Sequence, residues 1–181
     1  MCLVGYDDGI IHRMDLTAVD PTPLEVRVLA ETSETAAVRW RHTEARPSGD
    51  WFAAGFDDAS WAEGPGGFGT RGTPGAVVRT EWRKDDLWLR RAFEIGTGFD
   101  LAAARSLALR VHHDEDAEIY INGIEAARLP RWSAAYTEVP VAPEAAKSLR
   151  VGRNVIAIHC HQKTGGQYID AGLLELVRPA R

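Results

Sequence analysis

The tetrad Ile121-Asn122-Gly123-Ile124 limits the fold more than any other stretch of the chain. Asn-Gly between alternating apolar residues is the strongest short-range hairpin signal, because a type I′ turn needs φ > 0 at both central positions. The two-residue loop sets a parity that can be checked. It opposes Ile121 to Ile124, Tyr120 to Glu125 and Ile119 to Ala126. Side chains alternate across a sheet, so Ile119, Ile121, Ile124 and Ala126 share the expected core face, and Glu118, Tyr120 and Glu125 the other. Just upstream, Arg110–Asp116 reads RVHHDED, so a second strand enters the hairpin through two histidines and three acids.

The same alternation marks further strands at Leu87–Ile95, Leu107–His113, Ala117–Ile121, Ile124–Leu129, Asn154–Gln162 and Gln167–Leu176. Only Ala142–Leu149, after Pro140, reads as helix. Many short strands separated by turn signals predict an all-β antiparallel sandwich or barrel with at most one short helix. Residues 1–45 are expected as an N-terminal segment with one or two strands, Leu24–Ala30 and Ala37–Trp40, behind a Met1–Thr22 tail or linker. Residues 46–181 are expected to form the sandwich, a single domain overall. From Pro47 a stretch dense in Gly, Asp and aromatics predicts a long surface excursion, pinned by Phe56 and Trp61, with Asp57 and Asp58 in Asx-type turns.

A net charge of −5 without a Lys/Arg run argues against nucleic acid as a partner. No segment approaches the roughly 18 apolar residues that span a bilayer, so no membrane partner is expected. The start MCLVGYDDGIIHRMDL lacks a basic n-region, which implies a soluble chain, cytoplasmic as given or secreted by a signal outside it. Cys160 has the parity of Ile156 and Ile158 and reads as a buried hydrophobe. No disulfide framework, CxxC site, nucleophile elbow or phosphate loop is present. Arg90 and Arg91 alternate, so one faces inward. Arg91 is expected on the core face with a buried carboxylate, leaving Arg90 for ligand or solvent.

The ordered series WFAAGFDDASW, DLWLRRAFEI, DAEIYING and GRNVIAIHCH resembles the sugar-binding jelly-roll domain of family 2 glycoside hydrolases, within the galactose-binding-domain-like superfamily. The likeness runs from about Asp50 to Leu176. It implies a jelly-roll sandwich that usually sits beside a separate catalytic barrel, which would need about 250 residues and is not in this chain.

HHDED and HCHQKTGGQYID are richer in ionisable groups than a structural sandwich needs. Three readings compete: a solvated polar face, a carbohydrate groove, and a metal site. Sugars need donors and acceptors for their hydroxyls and an aromatic plate for their C–H faces. Arg90, Arg110, His112, Asp114, His159, His161, Gln162 and Tyr168 are candidates for the first, and Trp82, Trp88 and Tyr168 for the second. His159-x-His161 is half of a cupin-like metal set, but no histidine follows it. A structural calcium at Asp57 and Asp58, or at Asp114 and Asp116, is an open reading, and no cofactor is required. A glycosidase would need two carboxylates about 5–5.5 Å or 6.5–9.5 Å apart, drawn from Asp114, Asp116, Glu118 and Asp170. The reading is therefore a carbohydrate-binding module. The alternatives are a small glycoside hydrolase and a structural sandwich that docks on a catalytic domain or forms a homo-oligomer. HHDED matters for a site only if the HCHQ and YID segments are its spatial neighbours.

Overall fold

The computed structural model describes residues 2–5, 11–14, 23–102, 104 and 106–178. Most of the expected Met1–Thr22 tail lies outside these residues. Within it, β1 (Cys2–Gly5) and β2 (Ile11–Met14) pair with each other.

The remaining strands form two six-stranded sheets that face one another. The first sheet runs β11 (Ile124–Leu129), β10 (Asp116–Ile121), β13 (Gly152–His161), β8 (Asp86–Ile95), β4 (Arg39–Thr43), β5 (Ala62–Pro65). The second runs β12 (Thr137–Pro140), β9 (Leu107–Asp114), β14 (Tyr168–Val177), β6 (Phe68–Gly69), β7 (Thr80–Glu81), with β3 (Glu25–Ala30) also paired to β14. All pairings are antiparallel except β6 with β7. The one helix, α1, spans Pro143–Lys147. This is an all-β sandwich. β3 and β4 precede residue 46, yet they pair with β14 and β8, so both sheets draw on the N-terminal segment. No described helix is long and apolar enough to cross a membrane.

The core follows from strand parity. Leu89, Ile119, Ile121, Ile156 and Ile158 of the first sheet meet Leu109, Val111, Ile169 and Leu173 of the second, and all of these are fully buried. Cys160 is buried and free, in the place its parity gave it. Burying such a set removes apolar surface from water at roughly 25 cal/mol per Å², the main stabilising contribution here.

The hairpin turn has the expected conformation, with Asn122 at φ 50 and Gly123 at φ 91. Asn122 also fastens the tip: its amide donates to Ser148 O and Asn154 Oδ1, and its side-chain oxygen accepts from Val155 N, each at 2.8–3.0 Å. Two details of the register differ from expectation. Ile119 opposes Ala127, not Ala126, because a bulge interrupts the ladder between Ile119 and Tyr120. Ile124 is 41% exposed at the hairpin tip, outside the core it was expected to join.

One crossing positions everything that follows. β9 belongs to the second sheet and β10 to the first, with Glu115 alone between them. The chain therefore changes layer in the middle of HHDED. The expected adjacencies exist, since Asp116 pairs with His161 and Asp114 with Tyr168, but on different sheets.

Candidate functional site

The crossing divides the ionisable residues into three groups. The first covers the outer face of the first sheet. There Asp86 Oδ1 pairs with His159 Nε2 at 2.8 Å and His161 Nδ1 at 2.9 Å. Burial opposes the Asp86 carboxylate, but hydrogen bonds from the two histidines outweigh it and hold its pKa below the usual value. His159 stacks on Trp88 at 4.7 Å, while Trp51 meets it edge-on. Glu118 is held by Tyr120 and Arg128, and Asp116 by Lys163 and Arg131 N. Lys163 draws the Asp116 pKa down, so Asp116 stays ionised and is a poor general acid. A cavity of about 310 Å³ lies among Asp116, Glu118, Arg128, His159 and His161. Its acids are already paired.

Arg90, on the same face, is 1% exposed. It donates to Asp58 Oδ2 at 2.8 Å and to the carbonyls of Trp51 and Phe56. It anchors the 50–61 loop and is not free for a ligand. Asp58 also pairs with Arg41, and Asp57 closes an Asx turn on Ala59 N. Among the described residues, no cluster of three or more His, Cys, Asp or Glu side chains forms a metal-ligand set. Arg91 faces the core as expected. It stacks over Trp40 at 4.7 Å, with Asp170 and Glu31 as its electrostatic partners, and burial pushes its pKa down to about 10.

The second group is sealed beneath loops on the outer face of the second sheet. Asp170 is 1% exposed and accepts from Ser33 N at 2.6 Å and Tyr136 OH at 2.7 Å. Tyr136 in turn meets the Tyr168 hydroxyl at 3.1 Å. His112 is fully buried against both tyrosine rings, and neither of its ring nitrogens has a hydrogen-bond partner. Burial lowers its pKa and raises that of Asp170. Arg110, at the rim, is clamped by both oxygens of Glu34 and by Glu138.

This arrangement corrects several expectations. His112, Tyr168 and Asp170 are structural, because no sugar or glycosidic bond can reach a sealed network. Trp82 is 1% exposed in the core and Trp88 is 6% exposed under its neighbours, so neither offers a stacking plate. Arg110 commits three of its five N–H donors to Glu34 and Glu138, which fix its head at the rim. Gln162 lies beside the first group, its backbone N–H bonded to Asp85 O.

The third group sits at the crossing itself. An open cleft of about 290 Å³ is lined by Asp114, Glu115, Trp132, Ser133, Thr164 and Gly166 among others. Trp132 is 62% exposed and bridges to Asp114 through the backbone. Desolvation and the neighbouring Glu115 carboxylate raise the Asp114 pKa. The Thr164 hydroxyl lies 3.5 Å from Glu115 Oε1, while Glu115 Oε2 is turned inward, buried and without a hydrogen-bond partner. Gly166 keeps the cleft open, since a Cβ there would stand 2.8 Å from Asp114 Oδ2. Here a flat aromatic plate adjoins the Asp114 carboxylate and the Thr164 hydroxyl, the kind of combination a sugar requires. Asp114 was expected at a site. Trp132 was not, although a tryptophan in a polar loop after Pro130 is an available signal.

No protein-family model matches the sequence, and no curated protein matches it. Solved structures do. A β-glucuronidase from Bacteroides uniformis aligns over 85% of this chain with a TM-score of 0.58 and 15% identity. A glycosyl hydrolase family 2 member from Bacteroides cellulosilyticus aligns over 82% with a TM-score of 0.54 and 16% identity. A β-glucuronidase from an uncultured Clostridium aligns over 88% with a TM-score of 0.52 and 14% identity. The chain spans 21%, 18% and 30% of the family 2 member, the Bacteroides uniformis enzyme and the Clostridium enzyme, respectively. It has the β-sandwich fold that occurs within family 2 glycoside hydrolases.

Proposed function

We propose that the chain is a carbohydrate-binding β-sandwich module related to glycoside hydrolases, with its sugar site at the Trp132 cleft. The observation that carries the reading is the exposed indole of Trp132 beside the Asp114 and Glu115 carboxylates in an open cleft. The indole would stack on a pyranose C–H face. The Asp114 carboxylate, Glu115 Oε1 and the Thr164 hydroxyl would exchange hydrogen bonds with its hydroxyls.

Titration with galactose, arabinose, glucuronate and their oligomers, followed by tryptophan fluorescence, tests this. A saturable change that Trp132→Ala abolishes supports the reading. No response to any sugar sinks it. A parallel panel of chromogenic glycosides separates binding from turnover. Product release that depends on Asp114 would assign the hydrolase reading instead.

A second reading, a sandwich that works against a catalytic domain, draws on the comparison. The matched region makes up 18–30% of those enzymes' chains. No response to any sugar together with capture of a separately expressed catalytic barrel would favour it.

A further inference from the structure

We propose that β3 is a dimer interface, pairing antiparallel with β3 of a second copy across a two-fold axis at Val26. β3 pairs only with β14, and among the described residues no strand lies on its other edge. Val26 and Val28 on that strand are 56% and 55% exposed, and Leu24, the residue just before it, is 45% exposed.

The direction of the free backbone groups follows from the ladder. Leu176 N–H donates to Ser106 O at 2.9 Å, so the polar groups of Leu176 turn toward β9. Its cross-strand partner Val26 is therefore in a non-hydrogen-bonded pair, and the N–H and C=O of Val26 point away from β14. The period of two extends this outward direction to Leu24 and Val28, while Glu25 and Arg27 bond inward.

The edge is complementary to itself. A two-fold axis at Val26 sets Val26 opposite Val26, Leu24 opposite Val28, and Glu25 opposite Arg27. The first two kinds of pair are the ones whose backbone groups face outward, giving about six hydrogen bonds across the axis. The Glu25–Arg27 pairs fall at the non-hydrogen-bonded positions, where Cα atoms approach to about 4.5 Å and opposite charges attract; Arg27, which also pairs with Glu175 of its own chain at 3.4 Å, would be shared between the two carboxylates. An edge of one sign would repel its own copy. On the outer face, Val26 already lies beside Leu176 and Val28 beside Leu174, so pairing makes one apolar row across both molecules. The contact is isologous and closes at two copies.

Sedimentation equilibrium of the 181-residue chain from about 1 to about 100 µM tests the proposal. The expected mass rises toward twice 19.9 kDa. Val26→Pro removes an N–H that faces solvent in the single molecule, a tolerated edge-strand position, so its melting curve should match that of the wild-type monomer while dimerisation is lost. In a Cys2→Ser background, Val26→Cys should oxidise to a covalent dimer, because opposed Cα atoms lie within disulfide reach, and Val28→Cys should not. A monomeric wild type across the range overturns the proposal. So do a dimer that survives V26P, a ladder of larger species, or equal cross-linking of V26C and V28C.

Discussion

His112 and Asp114 stand two residues apart on the same strand and the same face, yet they meet opposite surroundings. His112 lies sealed beneath Tyr136 and Tyr168, in a network closed by Ser33 and Asp170. Asp114 opens onto a cleft beside an exposed indole. The loops that cover the sheet decide the difference. The segments around Ser33, Val77 and Tyr136 close over the lower part of the strand and stop short of its end. A run of ionisable residues thus reports polarity, and the covering loops determine whether that polarity is structural or available.

The comparison breaks most sharply at Asp170. Asp170→Ala leaves the Ser33 N–H and the Tyr136 hydroxyl buried without their acceptor, and should cost about 2–4 kcal/mol of stability. Urea unfolding measures this, and sugar affinity of the remaining folded protein should be unchanged. A variant as stable as wild type would show that the network is not structural. Trp132→Ala should do the reverse. It should weaken sugar binding about tenfold or more while moving stability by less than about 0.5 kcal/mol, as read by calorimetric titration and the same unfolding curves.

Smaller effects sharpen the contrast. Gly166→Ala drives a methyl against Asp114 and should lower affinity by a few-fold, with Thr73 contacts adding a modest stability loss. An unchanged affinity would move the ligand away from the Asp114 side of the cleft. The smallest effect concerns pH. The His112 pKa is lower in the folded state than the ordinary 6.5, so the unfolded chain binds more protons as pH falls below that value. Its contribution to stability is complete above about pH 6.5 and declines below it. His112→Phe removes that slope, and stability measured from pH 7.5 to pH 5 should flatten. His42 shifts the same way and keeps part of the slope. An identical pH dependence in the variant would place the titration elsewhere.

Much of the fold was legible because period two and one Asn-Gly turn leave few alternatives. The core faces of β8, β9 and β13 follow from alternation alone. The bulge opposite Ile119 was not legible, since an extra residue in one strand carries no local signal. The site was harder to read. Parity placed Arg90 away from the core, correctly, but could not show that the 50–61 loop folds over it. Nor could parity reveal that Glu115 is a crossing between layers, which puts His112 and His159 on opposite sides of the molecule. Trp82 and Trp88 illustrate the same limit. An aromatic that could serve as a platform and one that fills a core look alike until the neighbouring strands are known.

The single-residue crossing at Glu115 has a mechanical consequence. The loop from β13 to β14, which contains Thr164 and Gly166, is also a passage from one layer to the other, and both passages meet at the cleft. A molecule gripped there holds the two layers together at the point where each hands the chain to the other. Occupancy would then appear as slower amide exchange in β10 and β14 alike, making the cleft a latch on the separation of the sheets.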